Sequence, residues 1–241
     1  MNVGILVFPG SNCDADAYHA IRDVLGQHAQ YVWHEERSLR GLDAVILPGG
    51  FSYGDYLRAG AIATTAPAVR ALRPYVERGG LVLGICNGFQ TLLEAGLLPG
   101  AMLPNLCGEF RCEWVYIRTE RADTPFTCAL EPGDVLRIPI AHAEGRYVMD
   151  AARPAIAAHR QVVFRYCDDT GVVAREANPN GSEDAVAGIA SASGAVLGLM
   201  PHPERACEEL LGSTDGLRIF ESLEQWISSG RTLAGQPAEV H

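Results

Sequence analysis

Cys86 stands in Leu81-Val82-Leu83-Gly84-Ile85-Cys86-Asn87-Gly88-Phe89-Gln90, where an apolar run passes through Gly-x-Cys-x-Gly into a helical pattern. A nucleophile on so sharp a strand-to-helix turn is held in a strained backbone conformation, costing about 1–3 kcal/mol. Small flanking residues keep neighbouring strands from colliding, and the turn aims the first helical N–H groups at whatever the sulfur attacks. The competing reading is a buried structural cysteine. A thiol whose reference pKa is about 8.5 is mostly protonated at neutral pH, so catalysis requires a base nearby. His202 is the candidate: it lies in Leu199-Met200-Pro201-His202-Pro203-Glu204-Arg205, just after a buried run, where loops at the carboxyl edge of a sheet collect ligands. Glu204 can turn back in this proline-restricted loop, accept the other ring N–H and fix the tautomer. The third piece is Leu47-Pro48-Gly49-Gly50-Phe51-Ser52-Tyr53-Gly54-Asp55. The amide of Gly50, with that of Asn87, could form an oxyanion hole, each such donor being worth about 10²–10³ in rate.

The elements that must position these residues follow from hydrophobic patterning. Val3 to Phe8 predicts a strand ending at Pro9-Gly10, and residues 14 to 26, with Ala17, Ile21, Val24 and Leu25 on one face, predict a helix. Tyr31 to His34, Ala44 to Leu47 and Leu81 to Ile85 read as further strands, with a helix from Ala66 to Arg78 closed by Gly79-Gly80. Apolar strands alternating with helices imply a parallel sheet covered on both faces. Beyond Pro104 the pattern changes: Glu113 to Arg118, Val135 to Ile140, Val162 to Tyr166 and Val186 to Ile189 read as strands with short links, which predicts antiparallel pairs at one edge. Val196 to Met200 returns to the buried pattern, and Asp215 to Ser228 is a helix.

Composition bounds the function. At 241 residues and 48% hydrophobic, the chain can build one core without disulfides or metals, and the expectation is a single domain over 1–230 with a flexible tail over 231–241. A formal net charge of -10 and a pI of about 5.1 argue against a nucleic-acid or anionic-membrane surface. All 19 basic residues are arginine. Without lysine there is no Schiff-base chemistry and no phosphate-gripping P-loop lysine, so the chain is not built to activate a substrate with ATP unaided. The seven cysteines form no Cys-x-x-Cys pair and no zinc-like spacing with histidines nearby, so neither a disulfide framework nor a metal site is expected. With a strand at the start and no long uncharged apolar run, the expected location is the cytoplasm.

Taken together, Gly84-Ile-Cys-Asn-Gly-Phe-Gln90, the Pro-Gly-Gly loop and His202-Pro-Glu204 resemble the class I (triad) glutamine amidotransferase family. Longer blocks narrow the resemblance to the glutaminase subunits of phosphoribosylformylglycinamidine synthases: Phe8 to Asp14, Gly50 to Gly60, Ala141 to Arg146, Asn178 to Ser182 and Met200 to Arg205. The resemblance spans nearly the whole chain. It implies an α/β three-layer, flavodoxin-like fold: a mostly parallel central sheet with helices on both faces and an antiparallel edge. It further implies that Cys86 is the nucleophile, His202 the general base and acid, and Glu204 its orienter, with Gly50 and Asn87 at the oxyanion. Gly49, Phe51, Gln90, His142 and Glu144 would hold glutamine, His142 and Glu144 being equally placed for a subunit contact. Arg58 and Arg146 could face substrate or partner. The implied partners are a PurL-type synthetase subunit, which would use ATP and Mg, and a small PurS-type subunit; no cofactor is expected in this chain. Two other readings stay open: a stand-alone cysteine hydrolase or peptidase of the same fold, and a non-catalytic interaction module, against which the presence of all three triad members counts.

Overall fold

A computed structural model describes residues 1–233. Its frame is a nine-stranded sheet in the order β2-β1-β3-β4-β11-β10-β9-β6-β7. The first five of these run parallel: β2 (His28–Trp33), β1 (Asn2–Val7), β3 (Ala44–Leu47), β4 (Leu81–Ile85) and β11 (Val196–Leu199). The remaining pairings are antiparallel, through β10 (Val186–Ala190), β9 (Val162–Cys167), β6 (Arg111–Thr119) and β7 (Val135–His142). The expected change of pattern after Pro104 therefore corresponds to a real change of architecture. Strands β3, β4, β10 and β11 are buried along their whole length, so both faces of the sheet centre are covered. The order 2-1-3-4 reverses between β1 and β3, and at such a switch point the loops leaving the carboxyl ends of the strands open a crevice. The loops after β1, β3, β4 and β11 carry Cys13, Gly49-Gly50, Cys86 and His202 respectively.

The helices are α1 (Asp14–His19), α2 (Pro67–Glu77), α3 (Asn87–Glu94), α4 (Arg153–Ala158) and α5 (Leu217–Ser228). Two expected boundaries move by more than two residues. The first helix is α-helical only to His19 and continues as a π-helical turn over Ala20–Val24, which ends before Gly26 at φ 72°. Strand β2 begins at His28, because parallel pairing with β1 from Asn2↔His28 to Val7↔Trp33 recruits the weak strand formers His28-Ala29-Gln30. A separate two-stranded sheet, β5 (Ala101–Leu103) with β8 (Arg146–Val148), has no counterpart in the sequence reading, since three-residue strands carry no period of their own. Leu233, at the start of the stretch expected to form the tail, is buried against the core beside Gly194. Residues 234–241 of that tail lie outside the described residues.

Candidate active site

The elbow is built by close packing around Cys86. Its backbone sits at φ 50°, ψ −104°, a left-handed conformation that a non-glycine residue adopts only under strain. The Cys86 N–H donates to Leu199 O at 2.8 Å, so β11 anchors the turn. The flanking glycines are steric requirements: a Cβ on Gly88 would lie 2.0 Å from Leu47 O, and one on Gly84 would lie 2.4 Å from Leu92 Cδ1 and 2.9 Å from the Gly88 backbone. Only hydrogen at both positions lets α3 start so close to β3 and β4. Cys86 is 5% exposed, and its thiol donates to the Ala141 carbonyl at 3.7 Å.

His202 leaves β11 in a loop fixed by its own N–H, which donates to Pro139 O at 2.8 Å. Its Nδ1 is 2.6 Å from Glu204 Oε1, and both residues are only 2% exposed. A carboxylate so close selects the tautomer that carries its proton on Nδ1 and leaves Nε2 for the reacting groups. Burial works against the imidazolium, but the facing Glu204 carboxylate and the Cys86 sulfur outweigh it and hold His202 well above the usual histidine range. A second sulfur lies beside the ring. Cys13 Sγ, one ring nitrogen of His202 and a carboxylate oxygen of Glu204 all lie within 4.8 Å of one another. Arg205 Nη2 donates to Cys13 Sγ at 3.2 Å while its Nε reaches Asp16 at 3.3 Å.

The Gly49-Gly50 loop is stitched to the turn after β1. Gly49 O accepts from the amides of Asn12 (3.3 Å) and Cys13 (3.1 Å), and Phe51 N–H donates to Gly10 O at 2.8 Å. These bonds bracket the antiparallel bridge between Ser11 and Gly50, so the Gly50 amide points away from that segment. Gly50 has φ 147°, and a Cβ there would be 2.7 Å from Asn12 N. At the start of α3, Asn87 presents a free helical N–H while its side chain accepts from Ser52 N–H (3.0 Å) and donates to Asp55 (3.0 Å) and Gln90 Oε1 (2.9 Å). Phe51 stands 48% exposed on the outer side of the loop.

The loop after β7 brings in His142 and Glu144. Gln90, expected to hold substrate, has Oε1 accepting from Asn87 and Nε2 donating to the Glu144 carbonyl at 2.6 Å. Gln90 is thus a strut between α3 and the 142–146 loop. Arg58 is salt-bridged to Glu94 on the surface, and Arg146 lies in β8. Asn105, which sequence reasoning did not single out, organises the loop. Its Nδ2 donates to His142 O and Glu109 O, both at 2.9 Å, and its Oδ1 accepts from Gly145 N–H at 3.0 Å. Because that oxygen is an acceptor, His142 Nδ1, 3.0 Å away, must carry the ring proton, leaving Nε2 as a bare, buried acceptor. Burial, reinforced by the charge of His202, pushes His142 down to about 4, so this ring is neutral at working pH. Behind it, Asn180 Nδ2 donates to Gly145 O (2.8 Å) and to the Tyr166 hydroxyl (3.2 Å), and Ser182 Oγ donates to Asn180 Oδ1 (2.7 Å). The only sequence sign of these two was the Asn178 to Ser182 block; Cys13 and Asn105 carried none that assigned a role.

The model of the CobB/CobQ-like glutamine amidotransferase domain matches residues 1–227. The chain belongs to the glutamine amidotransferase family. Within the family it is 55% identical over 234 residues to phosphoribosylformylglycinamidine synthase subunit PurQ of Moorella thermoacetica, covering 97% of this chain and 99% of that one. It is also 55% identical to the PurQ subunit of Salinibacter ruber, over 226 residues and 96% of that protein. Among solved structures, this glutamine amidotransferase superposes on a chain of PurLQS from Thermotoga maritima with a TM-score of 0.83 at 46% identity, covering 94% of this chain and 98% of that one. A more distant likeness is to another glutamine amidotransferase of Thermotoga maritima, at 18% identity and TM-score 0.55 over 95% of this chain and 81% of that one, and speaks for the fold alone.

Proposed function

We propose that this chain is the glutaminase subunit of a phosphoribosylformylglycinamidine synthase. It hydrolyses L-glutamine and passes ammonia to a PurL-type subunit that makes formylglycinamidine ribonucleotide, with a small PurS-type subunit in the same assembly. Full-length identity to proteins named as that subunit supports the assignment. The observation that carries the chemistry is the strained Cys86 elbow beside a buried His202–Glu204 pair. In this reading the Cys86 thiolate attacks the carboxamide carbon of glutamine, and the developing oxyanion is met by the amides of Gly50 and Asn87. His202, protonated on taking the thiol proton, returns it to the departing nitrogen; ammonia leaves, and a glutamyl thioester remains. A water activated by the same ring cleaves the thioester to glutamate, while Glu204 holds the imidazole in place throughout. In this reading Gly49, Phe51, His142 and Glu144 hold glutamine, and Gln90 acts through the loop it braces.

ATP and Mg belong to the synthetase in this proposal. The chain contains no lysine and no P-loop with which to use them. Residues 1–230 work as one unit. Among the described residues no helix is long and apolar enough to cross a membrane, and the proposed site of action is the cytoplasm. The test pairs Cys86→Ala protein with wild-type synthetase subunits: amidine formation should fail with glutamine and survive with high ammonium. Failure of ammonium to rescue, or equal glutamine turnover by the free chain and the assembly, favours a stand-alone hydrolase instead.

A further inference from the structure

The Phe8 to Asp14 block ends on a carboxylate that the proposed reaction does not use. Asp14 opens α1 half-buried, and its carboxylate has no hydrogen bond or ion pair among the described residues. Two rings stand beside it. Tyr31 and Trp33, two residues apart on β2, are each 51% exposed. Together with Val7, the β1 residue paired with Trp33, Asp14 and the two rings line an open pocket of about 280 Å³. Burial and then the charge of Asp14 raise the Tyr31 phenol, which places the carboxylate within electrostatic reach of that ring. Both rings are fixed from behind: Tyr18 stacks on Tyr31 with centroids 4.6 Å apart, and His34 packs on Trp33 at 4.5 Å. Arg22 does not enter the pocket, since it lies over Tyr18 and donates to that hydroxyl at 2.7 Å. The other two tryptophans each carry an arginine over the ring, Arg137 on Trp114 at 4.3 Å and Arg231 on Trp226 at 5.7 Å. Trp33 carries none among the described residues.

We propose that this pocket receives one arginine side chain of the synthetase assembly and so helps seat the chain on its partner without touching the reaction. The choice of partner rests on the glutaminase-subunit reading, whereas the guanidinium chemistry does not. Electron-rich ring faces attract a cation, and the unpaired Asp14 supplies a full negative charge to meet it. Arginine suits the lining better than lysine. Its guanidinium is flat and weakly hydrated, stacks on aromatic faces and offers a carboxylate two parallel N–H bonds. The pocket is smaller than the about 300–1,000 Å³ that encloses a drug-sized molecule, so it matches one side chain rather than a whole metabolite. Arginine, tyrosine and tryptophan are also the residues that carry most of the energy of protein interfaces. Access is open. β2 is the terminal strand of the sheet and pairs only with β1, so a second chain reaches the pocket without displacing anything. β1 and β3 separate β2 from β4, which at about 4.8 Å per strand sets the pocket about 14 Å from the strand that carries Cys86. The net charge of -10 favours a cationic partner surface over the whole chain, and Asp14 gives that preference a local anchor.

Two measurements separate the chemistry from the partner. Magnetic resonance of the full chain follows the indole N–H signals of its three tryptophans while N-acetyl-arginine methylamide is added. The citrulline analogue, neutral and of the same shape, is the control. The Trp33 signal, assigned by its loss in Trp33→Phe, should move and saturate at millimolar probe while those of Trp114 and Trp226 stay. The citrulline analogue, or Asp14→Asn, should weaken binding at least tenfold. In the assembly, Asp14→Asn and Trp33→Ala should each raise the dissociation constant for the synthetase subunits at least tenfold, and Trp33→Phe, which keeps an aromatic face, should cost less. Glutamine turnover at saturating subunits should match wild type in all three. Circular dichroism and melting establish that the variants are folded. A Trp33 signal indifferent to the arginine probe, an equal response to citrulline, or unchanged assembly affinity in Asp14→Asn and Trp33→Ala overturns the proposal. A wild-type chain that forms no assembly with the synthetase subunits, yet binds the arginine probe at Trp33, would sustain the pocket and sink the glutaminase-subunit reading along with the partner it supplies.

Discussion

His142 makes the stability of this protein depend on acid in a way that can be isolated by one substitution. In the fold its ring stays neutral down to about 4, first because it is buried and second because it faces His202. In the unfolded chain the same ring takes up a proton below about 6.5. Protons therefore bind the unfolded state more tightly between these values. The stabilising contribution is complete above about 6.5 and is lost as pH falls towards about 4. At about 1.4 kcal/mol per pH unit the gap is worth about 3 kcal/mol. His142→Asn removes the titration while keeping an amide that can donate to Asn105 Oδ1. The assay is urea unfolding followed by circular dichroism at half-unit steps from pH 4 to pH 7.5, for wild type and variant. Wild type should gain about 3 kcal/mol on the variant as pH rises through this window, whatever constant offset the smaller side chain introduces. Parallel curves, differing by a constant to within about 1 kcal/mol, would refute the reasoning, as would an imidazole resonance of His142 titrating near its ordinary value.

Cys86→Ala should abolish glutamine hydrolysis and leave the melting temperature within a few degrees of wild type, since the sulfur contributes one long hydrogen bond to Ala141 O. A glutamine-analogue affinity label should modify Cys86, and mapping by mass spectrometry to Cys107 or Cys112, which are exposed, would count against it. Glu204→Gln should retain more activity than His202→Ala, because the amide can still orient the ring; equal and complete loss in both contradicts the assigned order. Gly88→Ala should cost more than about 2 kcal/mol in denaturant unfolding and remove activity, because its methyl would lie 2.0 Å from a backbone oxygen that no rotamer change can move. Gly133→Ala, with nothing within 4 Å and only a positive φ to accommodate, serves as the milder control.

The elbow could be read from sequence because its requirements are local: an apolar strand, two glycines and a helix start occupy ten consecutive residues. The parallel half of the sheet was legible for the same reason at β1, β3, β4 and β11, which are largely apolar runs, whereas β2 is half polar and was read only from Tyr31. What escaped was polar and non-local. Asn105 reaches residues 37 and 40 positions away, and Asn180 reaches Gly145 35 positions away, so the type of residue alone says nothing of its partner. Gln90 was legible as part of the site, but its bonds to Asn87 and the Glu144 carbonyl were not, since the partners of an amide depend on where the 142–146 loop lies. The meeting of Cys13 with His202 depends on two loops on different strands and leaves no spacing to detect.

One edge of the nine-stranded sheet, β7, has a further consequence. Its outward backbone groups do not face solvent: Arg137 N–H donates to Asp215 at 2.8 Å, Pro139 has no N–H and its carbonyl accepts from His202 N–H, and Ala141 O accepts from the Cys86 thiol. The segment that carries the base thus doubles as a guard against edge-to-edge pairing with another chain. Changes that loosen residues 201–215 should therefore do more than slow turnover, because they uncover a strand edge able to recruit its like. In this fold, one loop both presents the base and covers part of an open sheet edge.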